Sequence, residues 1–388
     1  MPNIYGHRPS LFASFFQGGF ECSTHRRDDG HRLDLLAATA HDRWAAADYQ
    51  ALSAHDLKTV RDGVRWHLIE TAPGQYDWSS FLPMLYAARA HDMQVIWDLC
   101  HYGWPDFIDI WSSKFIDRFA QFAAAVARLV LNEGLPERFY CPINEISFWA
   151  WAGGDQRKFN PCTRGRGDKL KRQLVRATIA AIEAIREVDP YARFIAVDPV
   201  INVIAGSEET RHNAHIAHCA QFEAWDMLAG RVAPELGGHA KYLDILGVNY
   251  YWDNQWVWRG PTVPLGDIRH RPFRSILTDV YKRYGRPILI AETGAEGDAR
   301  VPWLSYIGLQ VAQALEQGLP IEGICLYPVL DYPGWCNDRL CETGLLGVAD
   351  SNGQRAVYAP LAQELATQQL RLKSILHPAV DLAANAEV

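Results

Sequence analysis

Short apolar runs recur along the chain, and each ends in a polar or aromatic cluster: Leu11 to Phe16, Gly63 to Trp66, Gln94 to Leu99, Phe139 to Ile143, Phe194 to Val197, Ile245 to Val248, Ile288 to Ala291 and Gly323 to Leu326. Runs of this length with polar ends predict eight strands. Between them the apolar period lengthens. Phe115, Phe119, Phe122, Val126, Leu129 and Val130 step by three and four and place one apolar face inward, as do Leu170, Leu174, Ile182 and Ile185.

Strands that alternate with helices call for parallel pairing, because a parallel strand is reached only by a crossover, and eight such units close into a barrel without a free edge. The pattern therefore predicts an α/β chain with a (β/α)8 TIM barrel as a single domain over 1–370. A C-terminal tail, 371–388, follows as the sequence turns Ala-rich. The competing arrangement is an open doubly wound sheet. No GxGxxG turn follows an early strand, so the dinucleotide-binding form of that sheet lacks its phosphate site.

Composition narrows the function classes. The chain is 48% hydrophobic and 21% charged, which suits a buried core and excludes disorder. Its formal charge of −7 is spread without a basic stripe, so no nucleic-acid partner is expected. No stretch has the length and apolarity of a membrane span, and Met1 to Ser10 lack the pattern of an export signal, so a cytoplasmic protein is expected. Eight cysteines in such a chain are expected to be reduced, and neither a metal nor a cofactor is expected.

In a barrel the C-terminal ends of the strands share one mouth, and chemistry belongs there. The fourth strand ends in Asn144-Glu145 and the seventh in Glu292-Thr-Gly. Two carboxylates on nearly opposite staves meet the needs of glycosidic cleavage, one acid to protonate the leaving oxygen and one carboxylate to attack the anomeric carbon. These pieces stand in order with Gly247-Val-Asn-Tyr-Tyr251, Leu99-Cys-His101-Tyr, Phe15-Phe-Gln-Gly-Gly-Phe-Glu21 and Glu342-Thr-Gly-Leu-Leu-Gly-Val-Ala-Asp350. Together they resemble clan A glycoside hydrolases, most closely family 1, the β-glucosidase-like group.

The resemblance implies a retaining hydrolase of β-linked glycosyl units acting through a covalent intermediate, with a carbohydrate or glycoside as substrate. Glu145 resembles the acid/base and Glu292 the nucleophile. Arg65 resembles the arginine beside the nucleophile, and Tyr251 the tyrosine that donates to it. Asn144 resembles the residue that binds the sugar 2-hydroxyl. Gln17, His101, Asn249, Tyr327 and Trp335 fall where the family contacts the sugar. After the eighth strand the pattern departs from the family: Tyr327 stands for a tryptophan and Gly334 for a sugar-gripping glutamate, while Trp335 remains. Asp338 and Glu342 in that loop are most simply solvated.

Other features have plainer readings. Trp97, Trp104, Trp149, Trp151, Trp252, Trp256, Trp258 and Trp335 cluster near strand ends, where indole serves equally as a sugar-stacking platform or as core. His212, His215 and His218 fit a polar, partly exposed helix better than a zinc site. Arg26-Arg27 with Asp28-Asp29 reads as a solvated loop or part of the rim. The sequence leaves open a transglycosylase on the same site, a catalytically silent carbohydrate- or partner-binding barrel, the glycone and the oligomeric state.

Overall fold

The computed structural model describes residues 11–135 and 138–376. Eight parallel strands close into a barrel: β1 (Phe16–Gly19), β2 (Thr59–Gly63), β3 (Gln94–Asp98), β4 (Phe139–Cys141), β5 (Arg193–Pro199), β6 (Ile245–Asn249), β7 (Ile288–Thr293) and β8 (Ile321–Leu326). A principal helix follows each strand: α1 (His41–Ser53), α2 (Leu82–Ala90), α3 (Ser113–Asn132), α4 (Gly167–Val188), α5 (Glu223–Leu228), α6 (Phe273–Tyr284), α7 (Arg300–Glu316) and α8 (Ala359–Leu376). The predicted (β/α)8 barrel is the observed fold. Helix α8 runs through position 370 to Leu376 and buries Leu372; 377–388 lie outside the described residues.

Two cores result from the period of two along each strand. Inward-facing Ile96, Phe139, Cys141, Ile195, Val197, Ile245, Leu289 and Ala291 fill the barrel, and Phe12 joins them from below. Outward-facing residues meet the apolar helix faces, including Phe115, Phe119 and Phe122 of α3. Among the described residues, no helix is long and apolar enough to cross a membrane.

Six of the eight expected strands coincide with observed ones, and the first two are displaced. Leu11 to Phe16 is mostly a plug. Phe12 packs on Phe139 at 4.9 Å between ring centroids, and the Ala13 amide bonds Gln94 at the foot of β3. The strand begins only at Phe16. Similarly, Trp66 belongs to a helical turn, Trp66–Ile69, that buries its indole against Phe115, Phe119 and Phe122. The second strand lies before it, at Thr59–Gly63. In both places apolar side chains that pack outside the strand imitated one.

Candidate active site

Each displacement changes which side chain enters the mouth. In β2 the inward residue is Arg61, 1% exposed, and not Arg65. Arg65 lies outside the mouth, where Nη1 bonds Asp34 at 3.1 Å and Asp42 at 3.0 Å, so the expected contact with the nucleophile is corrected to Arg61. Along β1 and just past its end the inward residues are Gln17, Gly19 and Glu21, by strand alternation. Gln17 sits inside the barrel below the strand end, its amide beside Gly323 of β8, and both of its amide atoms are buried without a hydrogen bond among the described residues. Glu21 occupies that end.

Arg61 organises the floor. Its Nε and Nη2 clasp Asp98, at the end of β3, at 2.8 and 2.6 Å. Nη2 also bonds Asn144 Oδ1 at 2.6 Å, and Nη1 bonds Glu292 Oε1 at 2.7 Å. Burial disfavours its charge, but Asp98 and Glu292 outweigh that and raise its pKa well above the ordinary arginine value. Tyr251 donates to Glu292 Oε2 at 3.0 Å, as expected. The Glu292 carboxylate is thus held by a cation on one oxygen and a phenol on the other.

Glu145 follows β4 in left-handed backbone, φ 46° and ψ 61°, a conformation that costs a branched-chain-free residue roughly 1–3 kcal/mol. Its neighbours hold it there. The Glu145 amide bonds Val197 O at 3.1 Å, and Asp198 at the end of β5 accepts from the Ser147 amide at 3.0 Å and hydroxyl at 2.8 Å. Asn249 donates to Oε1 at 2.9 Å and Tyr102 donates to Oε2 at 2.5 Å. Burial, then the proximity of Glu292, lifts the Glu145 pKa to about 8, against the pull of those two bonds. Tyr102, itself at φ 68°, was missed by sequence reasoning although it follows His101 directly.

The two carboxyl groups are joined through one hydrogen-bonded chain. It runs from Glu292 through Arg61 to Asn144, whose Nδ2 donates to Tyr102 Oη at 3.0 Å, and from Tyr102 to Glu145. Asn144 Nδ2 also meets His101 Nε2 at 3.0 Å, while His101 Nδ1 meets Asp98 at 3.1 Å. Since Arg61 takes the Asn144 oxygen, Asn144 donates to Nε2 and His101 carries its proton on Nδ1. Both expected sugar ligands, Asn144 and His101, therefore spend their polar atoms on the protein. Cys22 Sγ lies 3.2 Å from the same Nδ1, and with Asp98 and His101 its ligand atoms fall within 4.8 Å of one another. Both Asp98 oxygens are already bonded to Arg61.

The remaining expected ligands have free polar atoms. Asn249 Oδ1, the Tyr327 hydroxyl and Trp335 Nε1 are buried and make no hydrogen bond among the described residues. Each such group costs about 1–3 kcal/mol unless a partner arrives. The Tyr327 ring lies over Gly19, where a Cβ would stand 2.2 Å from Cδ2, and it flanks Arg61. Trp335 packs beside His25 and Tyr102, at 4.5 and 5.7 Å between centroids.

The family 1 β-glucosidase of Thermotoga maritima aligns with a TM-score of 0.74 at 16% identity, over 93% of this chain and 99% of that one. A β-glucosidase from Thermotoga maritima in complex with glucoimidazole gives 0.75 at 15% identity, with the same coverage. A hyperthermophilic β-glucosidase mutant that forms a dodecamer in the crystal gives 0.72 at 17%, over 91% of this chain and 99% of that one. This chain has the fold of the family 1 β-glucosidases. No model of a known protein family matches the sequence, and no curated protein sequence matches it.

On this β-glucosidase fold the other features sort by burial. Trp97 and Trp149 are core residues, whereas Trp151 and Trp252 are exposed, 45% and 59%. Arg26 and Arg32 pair with Asp106, and Arg27 with Asp338, which ties the loops after β1, β3 and β8 into a rim. His212 and His215 lie on the exposed side of helix Arg211–Cys219. Gly334 packs into a hairpin, where a Cβ would meet Asn337 Oδ1 and Cys341 Sγ at 3.2 Å.

Proposed function

We propose that the protein is a retaining glycoside hydrolase that cleaves a β-linked glycosyl unit by double displacement. The observation that carries the reading is the hydrogen-bonded chain between Glu145 and Glu292, which treats the two carboxyl groups oppositely. Glu145, with its pKa near 8, keeps a proton at neutral pH. Glu292 faces the Arg61 cation and the Tyr251 phenol, the partners of a charged carboxylate. In this reading Glu145 gives its proton to the leaving oxygen as Glu292 bonds the anomeric carbon. Once the ester forms, the negative charge beside Glu145 is gone, its proton affinity falls, and it takes a proton from the water that releases the sugar. Transglycosylation is the same second step with a sugar hydroxyl in place of water.

Asn249, Tyr327 and Trp335 are proposed to bind the glycone, because their free polar atoms suit a polyhydroxylated ligand. The likeness to β-glucosidases, including the glucoimidazole complex, supports a carbohydrate partner. The eight unpaired cysteines support a reducing, cytoplasmic setting.

The test is labelling with 2-deoxy-2-fluoro glycosides of several configurations, followed by peptide mapping. The label is expected on Glu292, and the sugar that labels names the glycone. Glu292→Ala should abolish turnover of an activated aryl glycoside, and azide should restore it with inverted product. A label on another residue, or a protein that binds sugars but cleaves no member of a broad aryl glycoside panel, overturns the assignment.

A further inference from the structure

Glu21 is a buried carboxylate that the proposed chemistry does not use. It is 6% exposed at the C-terminal end of β1, and only one of its oxygens is engaged: Oε1 accepts from the Ser23 amide at 3.0 Å and from the Ser23 hydroxyl. Oε2 makes no hydrogen bond among the described residues, and no arginine or lysine pairs with Glu21. A carboxylate so enclosed normally has a cation or several donors.

Its surroundings are those of a ligand site. Strand alternation turns Glu21 into the mouth, and its neighbour Cys22 lies 3.2 Å from His101 Nδ1; burial raises the Glu21 pKa, with His101 opposing the rise and Glu292 adding to it. Tyr327, whose ring covers Gly19 two residues earlier, has its pKa raised by burial and then by Glu21, and its 3% exposed side chain ends in an unpartnered hydroxyl. The loop after β8 provides no rival: Gly334 faces its hairpin, Asp338 pairs with Arg27 on the rim, and Glu342 is exposed.

Resting on the hydrolase reading above, we infer that Glu21 is a specificity-determining residue that grips the glycone: Oε2 accepts from a sugar hydroxyl, beside the Tyr327 phenol. The inference fixes a substrate class. Arg61 is the cation of this floor, and Asp98 and Glu292 already share it, so an anionic group on the glycone would meet three carboxyl groups and no free guanidinium. Neutral glycones, and those bearing an ammonium group, fit; uronic acids and phosphorylated sugars are repelled.

The experiment pairs substrate deletions with protein deletions. Wild type and Glu21→Ala are assayed with 4-nitrophenyl β-glycosides of neutral sugars and with their 3-, 4- and 6-deoxy forms. In parallel, binding of glucose, galactose, mannose and the same deoxy sugars is measured by calorimetry. In wild type at least one deoxygenation should cost roughly 10- to 100-fold, as expected for a hydrogen bond to a charged group. Glu21→Ala should lose about that factor on the parent sugar and nothing further on the deoxy sugar. Glu21→Gln, which keeps the shape, should narrow the discrimination against the matching glucuronide and 6-phosphate by about tenfold or more. A merely structural Glu21 would lower all substrates equally, and equal deoxy penalties in wild type and Glu21→Ala overturn the inference.

The two readings fail separately. Turnover without coupling between Glu21 and any hydroxyl sinks the inference and leaves the hydrolase. Coupling in the binding data with no turnover of any glycoside sinks the hydrolase and leaves Glu21 as a sugar ligand. Absence of both binding and turnover overturns both.

Discussion

Glu145 holds its proton because burial and Glu292 together outweigh two donors, and that balance makes the pH response legible. The acid must be protonated for the first step, so kcat/KM for a glycoside with a poor leaving group should fall as pH rises through about 8. The Tyr102 bond favours the charged carboxylate and opposes the rise. Removing it in Tyr102→Phe should move this alkaline limb upward by about 1–2 pH units, the equivalent of one hydrogen bond to a charged group. A pH–rate profile decides it: a limb that stays or moves to lower pH refutes the role. Arg61 and Arg65 provide a second contrast. Arg61→Ala leaves Asp98 and Glu292 without their cation and should cost about 3–5 kcal/mol of stability along with activity. Arg65→Ala breaks contacts to Asp34 and Asp42 outside the mouth, so kcat should be unchanged even where the melting temperature drops. Equal kinetic losses in the two variants would restore Arg65 to the site.

The same contrast shows, at the scale of elements, how much the chain reveals before it folds. Glu145, Glu292, Asn249 and Tyr251 stand at or just past the ends of strands whose apolar runs are uninterrupted, and their places were readable. Arg61 was not, because Thr59-Val-Arg-Asp-Gly is polar inside the barrel while Val64 and Trp66 just beyond it are apolar; their side chains pack against helices instead. Glu21 was hidden by Gly18-Gly19, which weakens the strand signal, and by the apolar plug before it. Tyr102 and Asp198 act through contacts between different strands, for which a single sequence has no signal. The cost of a misplaced strand is also measurable in the protein. Gly19 is required by the Tyr327 ring, since an added Cβ would sit 2.2 Å from Cδ2. Gly19→Ala should therefore displace Tyr327 from beside Arg61 and destabilise by about 1–3 kcal/mol, as overpacked sites do. Denaturant unfolding checks the stability. A reduced kcat/KM with an unchanged pH limb checks that the ring, and not Glu145, has moved.

For the whole molecule, closure of the barrel brings the first and last helical units together around a buried charge network. His41 of α1 bonds Asp48 through Nδ1 at 2.7 Å and Asp62 of β2 through Nε2 at 2.9 Å. Arg355, between β8 and α8, binds Asp48 at 2.6 Å, and Phe20 stacks on the imidazole at 3.6 Å. With a carboxylate at each ring nitrogen, both nitrogens must donate, so His41 is an imidazolium. Burial alone would lower its pKa, but Asp62 and Asp48 prevail and lift it to about 9. A histidine raised in the folded state stabilises most below its unfolded value of about 6.5, and that contribution disappears as pH rises through 9. The loss is on the order of 3 kcal/mol across that window, from the size of the shift. Denaturant midpoints of wild type should decline between pH 6.5 and 9.5, and those of His41→Gln should decline less. Should the variant fail to fold, the imidazole resonances of wild type remain decisive: a His41 ring that titrates below pH 7.5 removes the imidazolium, and with it the pH-sensitive link between the first and last units of the barrel.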